Sequence, residues 1–281
     1  MGLVKWKPPV CSGYRVRLWS VLSVVWGTFA MNSVEAMAST TAKVDCDAEF
    51  VRIMEDAQQY PDARSKTNRL ESLGSQCEGT GIYESRLGGL YSEQGRYDDA
   101  RKVLLSGLGR ETQYNKQIRI ALFDVEFRQQ HLPKAEAEAL ALIKDFPDWV
   151  GGYGALGQVR LVQHRFQEGI EDLERANSLE PTSGAYTLLA MAYYQVDRPR
   201  DSAIAMQKAL RIDKDALAHT QAVCATAYSL VALGHLPEAE DLLAKHLKVQ
   251  PKAVNDPTYQ AASALIEKRI QEQRGKSSAV R

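Results

Sequence analysis

The sequence has little charge imbalance and no long apolar run after its N-terminal region. Its 35 Lys and Arg side chains are matched by 35 Asp and Glu side chains, so the formal net charge is zero. Because binding to a phosphate backbone needs a basic surface, this balance argues against nucleic acid as the main partner. No later segment is long and apolar enough to cross a bilayer, so we expect no membrane span in the mature chain.

Patterns that carry catalysis or metal binding are also missing. The five histidines form no H-E-x-x-H pattern, the cysteines form no C-x-x-C pattern, and no serine lies in a G-x-S-x-G elbow. Adjacent carboxylates such as Asp98 and Asp99 point in different directions from a helix, which is typical of a solvated face rather than of an acid–base pair. We therefore predict no enzyme activity, no metal and no cofactor.

One formal match to G-x-G-x-x-G does occur, at Gly152, Gly154 and Gly157. A dinucleotide site needs a strand before these glycines and a helix that opens within them. Here the preceding residues have the pattern of a helix end that stops at Pro147, so the match does not indicate nucleotide binding. Gly151, Gly152 and Gly154 leave two interpretations. Either the first helical turn is loosened, or the missing side chains let a ligand backbone approach.

The N-terminus has the pattern of a secretory signal. Four basic residues precede or flank the start of the apolar stretch Leu18–Met31, and Ala36-Met37-Ala38 fits the small-x-small rule for cleavage. We expect removal of residues 1–38, which leaves a formal charge of −3 on the mature chain. This pattern predicts export, with the periplasm as the destination. The alternative is an uncleaved N-terminal membrane anchor.

Export changes the interpretation of the cysteines, because thiols pair in an oxidising compartment. Cys11 leaves with the signal, so Cys46, Cys77 and Cys224 remain. Cys46 opens the first predicted helix and Cys77 ends the second, and those two ends lie side by side in a helical hairpin. We therefore predict a Cys46–Cys77 disulfide and a packing role for Cys224.

Small residues recur along the chain with a period near 34. Their spacings are 35, 34, 34 and 36, for Ala100, Ala135, Gly169, Ala203 and Ala239. Two helical patterns fall within each interval. A helical hairpin cannot bury its apolar face alone, so hairpins repeated at this interval are expected to stack on one another.

This period and its residues resemble the tetratricopeptide repeat (TPR) family. The family signature pairs an aromatic residue, a Leu-Gly pair and a Tyr on the first helix with an Ala and a terminal Pro on the second. Two units match it well, with Tyr83, Leu87-Gly88, Tyr91 and Ala100 in one and Tyr153, Leu156-Gly157, Ala176 and Pro181 in the other. The resemblance covers roughly residues 81–253 as about five units, and the units that start near Lys116 and Thr220 lack the Leu-Gly pair. It implies an all-α fold, an α-α superhelix built as a solenoid of antiparallel helix pairs.

The flanking segments are predicted to cap this array. Residues 39–80 suit a helical hairpin at the N-terminal end. Residues 254–274 suit a C-terminal capping helix, with Asp256 as its cap and Pro257 at its first position. We expect residues 275–281 to form a loose tail.

In TPR proteins, the first helices of successive units line a concave groove that binds an extended peptide or a partner helix. Carried onto this sequence, the resemblance implies groove residues Ile120, Asp124, Phe127, Arg128, Gln158, Leu161, Tyr194 and Tyr228. The alternative is that some of them pack against the neighbouring unit instead, above all Tyr194 and Tyr228. The Lys and Asn of the subclass that grips C-terminal carboxylates are replaced here, so we do not expect recognition of chaperone C-termini.

The function implied by the resemblance is that of a non-enzymatic, exported scaffold or adaptor that binds a partner protein or peptide. Cell-envelope assembly, secretion and polysaccharide export all use such modules, and fold analogy alone does not choose among them. The alternative is an accessory or regulatory subunit of an envelope enzyme with a glycan-binding role.

Overall fold

A computed structural model describes residues 44–110 and 113–279, with side chains as far as residue 275. These residues form α-helices and short 3-10 turns and contain no strand. The prediction of an all-α fold of repeated helix pairs is confirmed. The predicted signal peptide, residues 1–38, lies outside the described residues.

Fourteen α-helices and two 3-10 turns are found in the described ranges. The α-helices are α1 Cys46–Glu55, α2 Ala63–Ser72, α3 Gly74–Cys77, α4 Ile82–Glu93, α5 Tyr97–Leu108, α6 Asn115–Arg128, α7 Leu132–Asp145, α8 Val150–Val162, α9 Phe166–Leu179, α10 Ser183–Gln195, α11 Pro199–Ile212, α12 Thr220–Ala232, α13 Leu236–Val249 and α14 Pro257–Ala279. The 3-10 turns are Lys214–Ala218 and Pro251–Asn255.

Helices α4 to α13 form five pairs in two layers. The first helices α4, α6, α8, α10 and α12 contact one another in series, and we call the side they form the inner face. Each second helix packs against the first helix of its own pair, and against that of the next pair where one follows. The second helices α5, α7, α9, α11 and α13 form the outer face.

Glycine in the Leu-Gly pair allows the two helices of a unit to approach closely. A Cβ on Gly88 would lie 2.4 Å from Leu104, and one on Gly157 would lie 2.7 Å from Leu173. Both distances are too short for a real contact. The signature glycines are therefore explained by packing between paired helices, which offsets the roughly 1 kcal/mol that glycine costs inside a helix.

The turn between the two helices of each pair repeats one backbone feature. One residue in every turn has a positive φ between 61° and 80°: Gly95, Gln130, His164, Asp197 and Gly234. Glycine adopts this left-handed conformation without strain, whereas the other side chains do so at a cost. The turn geometry is therefore set by the repeat, and glycine is used in only two of the five turns.

The N-terminal cap carries the predicted disulfide. Cys46 and Cys77 are bonded, with 5.7 Å between their Cα atoms, while Cys224 is free and buried. One detail differs from the prediction, because α2 ends at Ser72 and Cys77 closes the short separate helix α3. Gly74 opens that helix where a Cβ would lie 2.9 Å from the Tyr83 hydroxyl, so packing against α4 favours glycine at the break.

The C-terminal helix α14 covers the last pair. Asp256 caps it by accepting a hydrogen bond from the Thr258 amide at 2.7 Å, and buried Tyr259, Ala262 and Ile266 face the core. The helix continues to Ala279, beyond the end that we predicted at residue 274. A single glycine at position 275 costs only about 1 kcal/mol, so it does not end the helix.

Across residues 44–110 and 113–279, we find no helix that combines the length and the apolar character needed to cross a membrane.

Candidate functional site

Half-buried residues at one repeated position form a row along the inner face. Each first helix contributes one member, and the five are Gly89, Asp124, Gln158, Met191 and Tyr228. Because the first helices contact one another in series, these positions follow one another along the face. The row changes from small and charged at α4 and α6 to apolar and aromatic at α10 and α12.

The inner face at α4 and α6 is charged, and its charges are largely paired within the chain. Asp124 accepts a hydrogen bond from the Ser92 hydroxyl at 2.9 Å and forms an ion pair of 2.7 Å with Arg128. Desolvation raises the pKa of nearby Glu93, although Lys66 and Arg128 oppose that shift. A partner that meets this end of the face would have to replace bonds that already exist.

The inner face at α10 and α12 carries an aromatic pair. Tyr194 and Tyr228 stack with 5.7 Å between ring centroids and 21° between ring planes. Both side chains are half-buried, and burial raises the pKa of the Tyr194 phenol. Partly exposed Met191 lies on the same face of α10. The two stacked rings therefore form one surface across two neighbouring repeats, with apolar ring faces and polar hydroxyl groups.

Two of the predicted groove residues turn away from the inner face. Phe127 is 3% exposed and stacks on Phe123 with 5.5 Å between centroids, so it offers almost no surface to a partner. Leu161 packs against α9, where a Cβ on Gly169 would lie 2.7 Å from the leucine Cδ2. Phe127 is better described as a core residue than as a groove residue, because its side chain fills the space between adjacent helices. Ile120 remains half-buried on α6.

The glycines at the start of α8 have two different explanations. A Cβ on Gly151 would lie 2.4 Å from the Trp149 ring, and one on Gly152 would lie 3.0 Å from Ile143. Packing therefore explains both. A Cβ on Gly154 would meet nothing within 4 Å, so no contact explains this glycine. Of the two interpretations left open by the sequence, the approach of a ligand now applies to Gly154 alone.

Sequence reasoning missed a second surface feature, a cleft on the outer face between α9 and α11. Asn177, Tyr186 and Lys208 line it. Its only sequence signal is Asn177, a polar residue at a buried position of an otherwise regular amphipathic helix. In the part of the chain that the structure describes, no group of three His, Cys, Asp or Glu side chains could hold a metal ion.

Comparison with known proteins shows the fold. No protein-family model and no curated protein matches this chain. The chain is similar to the solved thermophilic TPR protein TTC0263 of Thermus thermophilus, with 19% identity and a TM-score of 0.53 over 66% of this chain and 99% of that one. It is also similar to a chain of the APC/C hetero-tetramer Cut9-Hcn1, with 12% identity and a TM-score of 0.64 over 79% of this chain and 46% of that one. The fold is therefore TPR-like.

Proposed function

We propose that this chain is a non-enzymatic, exported scaffold or adaptor that binds a segment of a partner protein along its inner face. A TPR-like array of helix pairs suits protein–protein interaction, since stacked repeats present one continuous surface. The observation that carries the proposal is the half-buried stack of Tyr194 on Tyr228.

The aromatic pair has the properties of a binding anchor. Tyrosine supplies a large contact area at low entropic cost, and its hydroxyl keeps a polar contact available, which is why tyrosine is enriched at binding hot spots. Apolar Met191 lies on the same side of α10. We infer that an apolar or aromatic side chain of the partner packs on the two rings, in the manner of a segment laid into a groove.

The charged end of the inner face is assigned a different role. Asp124 and Arg128 already form an ion pair with each other. A partner that used either charge would first have to break this pair, so the new contact would add little to the free energy of binding. We therefore place most of the affinity at α10 and α12. The charged end would contribute alignment of the partner rather than affinity.

Export is the part of the proposal that rests on residues outside the described ranges. It is supported by the signal pattern in residues 1–38 and by the Cys46–Cys77 bond, because structural disulfides persist in oxidising compartments. A periplasmic site would place the protein in a cell-envelope system for assembly, secretion or polysaccharide export. Mass spectrometry of the protein recovered from the cell envelope tests this step, with Ser39 expected as the first residue.

The binding proposal is tested with peptides selected against the purified protein from a library of random linear sequences. Affinity of the best peptide is then measured by calorimetry for the natural chain and for Tyr194→Ala and Tyr228→Ala. Loss of an anchor contact costs about 2 kcal/mol, which corresponds to roughly 30-fold weaker binding. Thermal melts of each variant separate lost contact from lost fold.

The matched control is Leu105→Ala, an apolar truncation on the outer face of α5, where the leucine is 51% exposed. Its affinity should equal that of the natural chain. Equal losses at Leu105 and Tyr228 would contradict an inner-face site. Binding of soluble oligosaccharides that depends on Tyr194 and Tyr228, with no peptide selected, would instead favour the accessory glycan-binding hypothesis.

A further inference from the structure

A cleft of about 340 Å³ opens on the outer face between α9 and α11, with α10 as its floor. It lies on the side of the array opposite to the aromatic pair, so it is independent of the inner-face proposal. Pockets that bind small ligands typically have volumes of about 300–1,000 Å³, so this cleft is near the lower end of that range. It is open to solvent rather than enclosed.

One wall of the cleft holds a buried amide with an unused donor. Asn177 is 8% exposed, and its Oδ1 accepts a hydrogen bond from the Thr182 amide at 3.0 Å. That bond fixes which side of the amide is oxygen. The Nδ2 atom has no hydrogen-bond partner among the described residues. An unsatisfied buried donor calls for an explanation in a native structure, and an acceptor bound in the cleft supplies one.

A second donor in the cleft is equally unused. Lys208 on α11 places its ammonium 5.2 Å from the centroid of the Tyr186 ring. No carboxylate of the described residues lies within ion-pair distance of it. The cleft therefore has an exposed cation beside an aromatic face, and a buried amide donor in one of its walls.

The two acids at the cleft are already bonded. Glu174 accepts a hydrogen bond from the Tyr193 hydroxyl at 2.5 Å, and Asp201 forms an ion pair of 2.7 Å with Arg198. Asn177 Nδ2 and the Lys208 ammonium are donors without an acceptor among the described residues, and the Tyr186 hydroxyl can donate as well as accept. Together these groups favour an acceptor. The cation makes a carboxylate the preferred acceptor, because charge-assisted hydrogen bonds are about twice as strong as neutral ones.

The rim adds an apolar contact. Ile204 lines the cleft and is 50% exposed, which is high for a large aliphatic side chain. An open cleft with an exposed apolar rim suits a chain that passes over it rather than a small molecule that is enclosed by it. We propose that this cleft binds an acidic residue of a partner polypeptide, with its carboxylate on Lys208 and Asn177 and a neighbouring apolar side chain on Ile204.

The test uses two short acetylated and amidated peptides, Ala-Ile-Glu-Leu and Ala-Ile-Gln-Leu, titrated into isotope-labelled purified protein and followed by NMR. The Glu peptide should shift the Asn177 side-chain amide and the backbone amides of α9 and α11. The Gln peptide should bind at least about fivefold more weakly, since it lacks the charge-assisted bond.

Three variants sharpen the result. Lys208→Gln and Asn177→Asp should remove the preference for the Glu peptide, and Asp at position 177 still accepts the Thr182 amide. Glu174→Gln keeps an acceptor for Tyr193 and removes a nearby negative charge, so it should bind the Glu peptide more tightly. Lys102→Gln, an exposed lysine on α5, is the control and should change nothing. Equal binding of the two peptides, or shifts confined to the inner face, would overturn the proposal.

Discussion

The hydroxyl of Tyr193 on α10 donates a hydrogen bond of 2.5 Å to Glu174 on α9, and this bond joins the fourth helix pair to the third. Arg198 covers the Tyr193 ring at 4.5 Å from its centroid. Tyr193 lies four residues before the turn residue Asp197, as the signature residue Tyr91 lies four residues before Gly95. The bond connects Tyr193 to the preceding pair rather than to the second helix of its own pair.

Two other contacts between successive helix pairs, here called joints, use the same position with different chemistry. At α6 the tyrosine is replaced by Glu126, which is bonded to Arg101 of α5 at 2.6 Å. At α8 it is replaced by Arg160, which lies 3.9 Å from Glu136 of α7. Arg160 is also 2.8 Å from Asp172 of α9, in its own pair. Both replacements nevertheless meet an opposite charge on the preceding helix, and this contact uses different residues at each joint. We infer that it helps to fix which pair stacks on which.

When one residue of a joint is replaced, the loss in free energy of unfolding should depend on how deeply the carboxylate left behind is buried. Arg101→Met leaves Glu126, whose side chain is 7% exposed, without its main cation, whereas Tyr193→Phe leaves the exposed Glu174 in water. We expect a loss of about 3 kcal/mol for Arg101→Met and about 1 kcal/mol for Tyr193→Phe. Urea unfolding measures both. Equal losses would show that burial of the carboxylate does not set the cost.

Two glycines three residues apart on α8 should respond to alanine with opposite signs. At Gly157 the added Cβ meets Leu173 at 2.7 Å, so Gly157→Ala should destabilise the protein by about 1–3 kcal/mol. At Gly154 the space is open, so Gly154→Ala should stabilise it by up to about 1 kcal/mol through helix propensity. Thermal and urea unfolding of the two variants give the comparison.

The same Gly154→Ala variant separates stability from binding. If a partner backbone approaches α8 at this position, the variant should be more stable and yet bind a selected peptide more weakly. Unchanged affinity would mean that Gly154 has no part in recognition.

The disulfide prediction concerns both thiol count and stability. Unfolded, unreduced mature protein, which lacks residues 1–38 and so Cys11, should show one reactive thiol, Cys224, because Cys46 and Cys77 are bonded. The bond joins residues separated by 31 positions, so its reduction should lower the free energy of unfolding by about 3–4 kcal/mol. Labelling with a maleimide and mass spectrometry counts the thiols. Three reactive thiols would refute the bond and weaken the case for export.

Asp172 on α9 should make part of the stability depend on pH. Burial raises the pKa of its carboxyl to about 6, although Arg160 at 2.8 Å opposes the shift. The folded state then holds this proton more tightly than the unfolded state, so the contribution of Asp172 to stability falls as pH rises from about 4 through 6. Asparagine at position 172 cannot ionise. The free energy of unfolding of Asp172→Asn should therefore rise relative to that of the natural chain as the pH rises from about 4 to 6. A carboxyl signal that titrates below pH 4 would contradict this.

The sequence predicted the fold because the relevant information is local. Small residues are needed where the two helices of a pair touch, and every pair touches at the same positions. The spacing of Gly88, Ala100, Gly157 and Gly169 therefore shows the repeat directly in the sequence. The same locality led to the Cys46–Cys77 bond, which follows from two helix ends in one hairpin.

The sites were harder to predict, because they depend on what neighbouring helices leave unfilled. Phe127 occupies a groove position in the repeat pattern, yet Phe123 draws it into the core, and no spacing rule encodes that choice. The cleft beside Asn177 is lined by residues of α9, α10 and α11 together, and no single stretch of the sequence shows that these helices leave a gap.

The proposed function requires that a partner protein touches the inner face at α10 and α12. A photoreactive p-benzoylphenylalanine in place of Tyr228, and in a control chain in place of Leu105, tests this in the cell envelope. We predict a covalent adduct to one partner protein from position 228 and none from position 105. Adducts from position 105 with none from position 228 would contradict the account.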